Sequence, residues 1–150
     1  MTNSIDSKIV EFIREHHVLT LATASNNKPY CATMFYIADF TEEKTPSALS
    51  LIFTSDDETR HAKEAAENKD VAGAIALETS IVGKIQGVQF TGIIAKLEGA
   101  ELKKAKMAYI KKFPIAALAS LHLWKVDIHF MKLTDNRLGF GKKLIWDKSS

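Results

Sequence analysis

Cysteine is almost missing from this chain: Cys31 is the one thiol among 150 residues. That excludes an internal disulfide and a cysteine-based zinc site. Set in an uncharged, strand-like run from Tyr30 to Ile37, Cys31 reads as a buried small hydrophobe. Long apolar runs are missing too, with none reaching the roughly 18 residues of a membrane span. The opening segment carries Asp6, Glu11, Arg14 and Glu15 where a signal peptide would be apolar. The expectation is a cytoplasmic protein without a membrane partner.

A strong charge imbalance is absent as well. Twenty basic and 18 acidic residues leave a formal net charge of +2, too little to imply nucleic acid. The charge is uneven along the chain: nine acids face four bases from Asp39 to Asp70, and five lysines (Lys103, Lys104, Lys106, Lys111, Lys112) face one acid from Glu101 to Lys112. On an amphipathic helix such lysines read as a solvated face. The aromatic-plus-basic signature of an RNA-recognition sheet is missing, so no nucleic-acid partner is expected.

The common catalytic signatures are missing in turn. Gly139-Phe140-Gly141-Lys142-Lys143 has its glycines too close for a phosphate loop, and Lys143 where Ser or Thr would stand. There is no dinucleotide fingerprint, nucleophile elbow or zincin helix. Of five histidines, His16 and His17 are adjacent and diverge on a helix end, His129 falls on the wetter face of a strand, and no metal site is expected.

What is present is an ordinary globular composition, 46% hydrophobic and 25% charged, at a length suited to one domain. Ile5, Ile9, Phe12 and Ile13 recur at helical spacing behind Asn3 and Ser4 as caps, predicting a helix from residue 4 to about 16. Strands are predicted over Val18–Thr23 and Tyr30–Ile37, joined through a turn at Ser25-Asn26-Asn27-Lys28-Pro29. An exposed loop over 39–47, containing Glu42, Glu43, Lys44 and Pro46, leads to a strand at Leu49–Thr54. A helix follows from about Thr59 to Asn68, then strands at Val71–Leu77 and Gly87–Leu97, with Gly92 marking a bulge or a close approach. A helix over Glu101–Phe113 turns Leu102, Ala105, Tyr109, Ile110 and Phe113 inward and ends at Pro114. Trp124, Val126, Ile128 and Phe130 alternate with polar residues as one face of a strand. Thr134-Asp135-Asn136 is a turn, and Leu144–Trp146 can add a short pairing. The fold class is mainly β: about six strands in a small antiparallel barrel with flanking helices.

The strand-to-helix junction from Thr54 to His61 draws the eye chemically. Hydroxyls at Thr54, Ser55 and Thr59, the Arg60 guanidinium, the His61 imidazole and free N–H groups together suit a phosphate monoester at a positive dipole end. Alternatively, Thr59 caps the helix and Arg60 pairs with Glu64 at i, i+4; residue types leave both readings open.

These residues carry a resemblance. The hairpin around Lys28-Pro29, the strand ending Phe53-Thr54, the Thr59-Arg60-His61 helix start and Val88-Gln89-Phe90-Thr91-Gly92 together resemble the FMN-binding split barrel of the pyridoxamine 5'-phosphate oxidase superfamily. Gly87-Val88-Gln89-Phe90, Phe113-Pro114 and Thr134-Asp135-Asn136 through Leu138-Gly139-Phe140-Gly141-Lys142-Lys143 to Trp146 are similar to segments of its YhbP group. The resemblance spans nearly the whole chain. It implies a six-stranded Greek-key barrel, a homodimer, and FMN in two symmetric clefts between subunits. Thr59, Arg60 and His61 fall on the oxidase's Ser-Arg-Lys phosphate segment, and Phe53 and Thr54 on its Tyr-Thr, with Ser55 sharing the role of Thr54 because the spacing is one residue longer. Ala32, Thr33, Met34 and Phe35 would run along the isoalloxazine ring, and Gln89 would be a polar flavin contact. The chain departs from the oxidase on its second strand, where Tyr30 to Ile37 carries no charge in place of an Arg and a Lys. The oxidase's paired C-terminal Arg and His are not evident, so its vitamin substrate is not implied. The function implied is an FMN-dependent oxidoreductase with Tyr36 and His61 as candidate proton donors; the alternative is a non-enzymatic split barrel whose cleft holds another ligand or partner.

Overall fold

The computed structural model describes residues 3–42 and 44–150; Glu43, in the predicted loop over 39–47, lies outside the described residues. Three helices, α1 (Ser7–Glu15), α2 (Arg60–Glu67) and α3 (Gly99–Lys112), surround seven strands: β1 (Val18–Ser25), β2 (Lys28–Phe40), β3 (Leu49–Thr54), β4 (Asp70–Ala76), β5 (Gln86–Lys96), β6 (Leu123–Asp135) and β7 (Lys143–Asp147). The order is β3-β2-β1-β4-β5-β6-β7, every pairing is antiparallel, and β3 also pairs with β6. Six strands therefore close the barrel. The seventh strand, β7, takes the β3 side of β6: β3 pairs with Leu123–Asp127, whereas β7 pairs with Phe130–Thr134. The wall splits where one neighbour hands over to the other.

The β1–β2 hairpin turns on Asn26 and Asn27, both at positive φ (51° and 61°), with Ser25 opposite Lys28. A two-residue turn of this hand suits the right-handed twist of the flanking strands, and Asn tolerates the left-handed region better than most side chains. The α1 cap is Asp6, whose carboxylate accepts from the Lys8 N–H at 2.8 Å, rather than Asn3 or Ser4; the helix starts at Ser7 because a carboxylate there satisfies the first free N–H groups. Asp39, expected in the loop, extends β2 opposite Ser50, and Thr134 and Asp135 belong to β6 rather than to a turn.

The main core fills the barrel with Leu19, Leu21, Leu51, Phe53, Ile75, Val88, Phe90, Val126 and Ile128, and α1 packs Ile9, Phe12 and Ile13 into it. A smaller cluster, Ile37, Ile52, Leu97, Ala105, Tyr109 and Leu123, lies beneath α3. Burial of each large side chain stabilises by roughly 1.5–3 kcal/mol.

A β-bulge sets the faces of β6. The register with β5 passes from Thr91↔Phe130 to Gly92↔Ile128, leaving His129 extra. Before it Trp124, Val126 and Ile128 are buried; after it Met131, Leu133 and Asp135 are. Phe130, expected inward by simple alternation, consequently stands half-buried opposite the exposed Thr91 on the outer face. Gly92 provides both the bulge and the close approach, since a Cβ there would lie 2.3 Å from the Asp127 carbonyl oxygen. Cys31 is also corrected: it is exposed, because its β2 position pairs with Ala22 on the outer face rather than with the buried Leu21.

Candidate functional site

Strand β3 ends at Thr54, and α2 begins at Arg60. Thr59 caps α2 by accepting from the Ala62 N–H at 3.3 Å. The intervening chain is pinned from both sides. Ser55 N–H donates to the His122 carbonyl at 2.9 Å, the Trp124 indole N–H donates to the Ser55 carbonyl at 3.1 Å, and Thr54 Oγ1 accepts from His122 N–H at 3.2 Å. These bonds leave the Ser55 hydroxyl turned toward the helix start.

There Ser55 Oγ is hydrogen-bonded to His61 Nε2, and Thr59 Oγ1 lies 3.4 Å from Ser55 Oγ and 3.3 Å from His61 Nε2. The predicted Ser55, Thr59 and His61 thus converge, whereas the Thr54 hydroxyl is taken up by the His122 N–H. Burial lowers the His61 pKa from the ordinary imidazole value, favouring its neutral form. As a neutral ring it can accept from one hydroxyl or donate to it, but it brings no fixed charge.

Arg60 makes the i, i+4 pair of the second sequence reading. Its side chain stays about half exposed, yet its Nε donates to Glu64 Oε2 at 3.0 Å and its guanidinium stacks 4.2 Å over the Tyr30 ring. Glu64 is in turn fixed by the Thr23 hydroxyl at 3.0 Å. The Arg60 pairing, followed by the Thr23 bond, holds the Glu64 carboxyl below its usual pKa, against an opposing effect of burial. Sequence reasoning misses Tyr30 and Thr23; Tyr30 pairs directly with Thr23 across β1–β2 and so shares the face that α2 covers. Further round the junction Lys96 pairs with Asp57 at 2.6 Å and Lys63 with Glu58 at 3.4 Å. Four carboxylates (Asp56, Asp57, Glu58, Glu64) face three cations (Arg60, Lys63, Lys96), and each of those cations has an acidic partner.

The remaining predicted contacts divide between two faces of the sheet. Ala32 and Met34 pair with buried Leu21 and Leu19 and lie on the inner face. Thr33, Phe35 and Gln89 are exposed on the outer face. Thr33, Thr20, Ala74 and Gln89 form one row across four strands, which places Thr33 and Gln89 three strand spacings apart, about 14 Å. Small uncharged residues make the middle of that face: Thr20 and Ala22 on β1, Ala72 and Ala74 on β4. A shallow cavity of about 450 Å³ runs over it, lined by Cys31, Ala72, Gln89 and Phe130 among others. Tyr36, a candidate proton donor, is fully buried and donates to the Ile13 carbonyl at 2.6 Å, and burial pushes its hydroxyl far above the ordinary phenol pKa. It is a core residue. Lys142, in the turn before β7, and Lys143, the first residue of β7, are both exposed.

The hydroxyls and imidazole at the α2 N-terminus fit the polar arm of a flavin, and the uncharged run of β2 from Tyr30 to Ile37 fits a flat ring. For a phosphate the junction offers Arg60, half exposed and held to Glu64 through its Nε, while β2 carries no cation from Tyr30 to Ile37 and burial favours the neutral form of His61.

A barrel closed by β3 and β6, and opened along β6 where β7 takes the place of β3, defines a split barrel. The chain belongs to the pyridoxamine 5'-phosphate oxidase family, whose model matches residues 5–134. A UPF0306 protein of Yersinia pseudotuberculosis serotype O:3 (strain YPIII) is 34% identical over 149 residues, 99% of this chain and 97% of that one. Among solved structures, a heme binding protein from Mycobacterium smegmatis superposes with a TM-score of 0.69 at 18% identity, covering 97% of this chain and 60% of that one. A FAD-binding protein from Mesorhizobium loti superposes with a TM-score of 0.62 at 14% identity, covering 85% and 91%. Among the described residues no helix is long and apolar enough to cross a membrane, and no three His, Cys, Asp or Glu side chains cluster as for a metal.

Proposed function

We propose that this protein is a homodimeric flavin-binding split barrel, with FMN the flavin its family resemblance implies, acting as an oxidoreductase. The observation that carries the reading is the convergence of Ser55, Thr59 and His61 beside Arg60 at the start of α2, with Arg60 over Tyr30, the first residue of the uncharged run of β2. When bound, a flavin supplies the electron chemistry, and the chain supplies binding and orientation. Backbone from Ala32 to Phe35 would lie along the ring, and the junction hydroxyls would hold its side chain.

The two-faced distribution of predicted contacts favours two copies. Gln89 faces away from the α2 side of its own chain, so it would reach a cleft only in a second subunit packed on the small-residue face of β1 and β4. Side chains as short as Ala22, Ala72 and Ala74 let two sheets approach closely, and the absence of charge in the middle lowers the cost of desolvation. No proton donor is assigned beyond His61, the candidate that lies beside the hydroxyls.

The test is the visible spectrum of freshly purified protein, an FMN titration, and sedimentation. Oxidised-flavin absorbance or saturable FMN binding, together with a dimer mass, supports the reading. A colourless protein that takes up no flavin on titration removes the cofactor, and a monomer removes the shared cleft. The uncharged run of β2 from Tyr30 to Ile37 also favours a second reading, in which the cleft binds a flat ligand without turnover. The heme-binding neighbour from Mycobacterium smegmatis makes a tetrapyrrole the first alternative ligand to titrate. Flavin binding without oxidation of any reduced nicotinamide would move the assignment toward a binding protein.

A further inference from the structure

We infer that the end of the barrel formed by the β4–β5 connection and the turn before β7 is a docking surface for an anionic lipid bilayer, on which the chain lies without crossing it.

Five of the eleven large apolar side chains that stand exposed among the described residues gather at this end. Ile81, Val82 and Ile85 are 52%, 62% and 42% exposed in the β4–β5 connection, Phe140 is 79% exposed in the turn over 139–142, and Ile145 is 64% exposed on β7. The two connections are tied to each other. Asn136 N–H donates to the Ile85 carbonyl and its side-chain amide to the Val82 carbonyl, each at 2.9 Å. The sheet continues the tie, since Gly87 pairs with Thr134 and Thr134 with Lys143. Gly139 and Gly141, at φ 130° and 72°, make the tight turn that lifts Phe140 out of the sheet, a conformation other residues resist. None of these side chains is needed by the core, which Val88, Leu133 and Trp146 fill from the inner face of the same strands. A gathering of this kind on a folded chain marks a contact surface.

The charge around the apolar tips has one sign. From Glu78 to Gly87 and from Lys132 to Ile145 there are five cations and two acids. One of those acids, Asp135, is buried and taken up by Arg137 at 2.8 Å, which leaves Glu78 to face four lysines. Lys84, Lys132, Lys142 and Lys143 have no ion-pair partner among the described residues, whereas Lys63, Lys96, Lys125 and Lys148 elsewhere on the surface each have one. Apolar tips among free ammonium groups fit a surface that is anionic outside and apolar about 5–10 Å beneath, as an acidic leaflet is. A nucleic acid would engage the lysines and leave Phe140 and Val82 in water. A bilayer takes both, and it needs no groove to receive tips that come from two separate turns.

The experiment is co-sedimentation of the full-length protein with vesicles of phosphatidylcholine containing about 30% phosphatidylserine, and with phosphatidylcholine alone. The wild type should partition onto the acidic vesicles about tenfold better than onto the neutral ones, and should lose that advantage as salt rises from about 0.1 M to about 0.5 M. Lys142→Ala with Lys143→Ala should weaken partitioning about thirtyfold and Phe140→Ser about tenfold, with unchanged urea midpoints because all three side chains are exposed. Leu118→Ser is the control. That side chain is 88% exposed in the α3–β6 connection, at the opposite end of β5 and β6, and its loss should change partitioning by no more than about twofold.

Failure to bind acidic vesicles, equal binding to neutral ones, or unchanged binding in the double-lysine variant overturns the inference. An equal loss in Leu118→Ser also overturns it, because binding would then be a general property of exposed apolar residues. So does a fall in the sedimenting mass of Phe140→Ser without vesicles, which would assign these turns to a second copy of the chain.

Discussion

Replacing Gly92 by alanine tests the bulge on which the two faces of the sheet depend. The added Cβ would lie 2.3 Å from the Asp127 carbonyl oxygen, 2.8 Å from Val126 Cγ1 and 3.1 Å from the Asp127 carbonyl carbon. Two of those three atoms are backbone of a neighbouring strand, so no rotamer change relieves the overlap. Either β5 and β6 separate locally, weakening the longest pairing in the sheet, or the bulge moves along β6. Overpacking of this kind costs about 1–3 kcal/mol, and contact with backbone places the expected loss near the upper end, at about 3 kcal/mol. For a chain of this size that corresponds to a fall in Tm of about 6–12 °C. Urea unfolding followed by tryptophan fluorescence reads the loss as a lower midpoint with an unchanged slope. Gly83→Ala is the control, since a Cβ there meets nothing within 4 Å, and its expected change is within about 0.5 kcal/mol. A Gly92→Ala protein within about 1 kcal/mol of wild type would refute the claim that this glycine is required by close approach of β6.

Tyr36→Phe removes the hydroxyl that donates to the Ile13 carbonyl at 2.6 Å in the core; a loss of about 1–2 kcal/mol in urea unfolding is expected, and an unchanged midpoint would show that the carbonyl finds another partner. Ala72→Arg places a charge in the middle of the small-residue face, and sedimentation should show a monomer with an unchanged far-ultraviolet spectrum; a persistent dimer would place the interface elsewhere. Asp135 is buried and its pKa is lowered chiefly by its paired bonds to Arg137, so ionisation of the native carboxylate stabilises the fold. That stability is complete above the unfolded carboxylate pKa of about 3.9 and is lost as pH falls through the lower folded value. Urea midpoints should therefore fall less on acidification in Asp135→Asn than in wild type, and parallel acid profiles would contradict the linkage.

Much of the barrel is legible in the sequence because its signals are local. Asn26-Asn27 between two strand-forming runs is a turn for conformational reasons, and Pro114 ends α3 wherever that helix packs. Gly92 is legible as an anomaly, although its consequence is not. The alternation Trp124, Val126, Ile128, Phe130 is unbroken in sequence, and the extra residue His129 exists only relative to the partner strand. For that reason alternation puts Phe130 inside, whereas it stands outside. Cys31 is misread in a similar way: every neighbour from Tyr30 to Ile37 is uncharged, so composition offers no choice of face, and only the pairing with Ala22 makes it. A face lined with small residues looks apolar in sequence whether it meets a core, a second copy or water.

The site is legible in membership but not in charge. Ser55, Thr59 and His61 lie within seven consecutive residues, so a single strand-to-helix junction brings them together whatever surrounds it; Thr54 belongs to the same junction in sequence, but its hydroxyl turns to the His122 N–H. Whether Arg60 is available depends on Glu64, which is local, and on Thr23 and Tyr30, which come from the hairpin. The i, i+4 spacing supplies the pair; only the fold fixes the carboxylate in place. An exposed Arg–Glu pair alone contributes about 0–1 kcal/mol and would yield readily to a competing anion. A glutamate that is tethered from behind by a threonine yields less. The hydroxyl of Thr23 and the ring of Tyr30 therefore fix where the Arg60–Glu64 pair sits, although neither residue belongs to the junction that carries it.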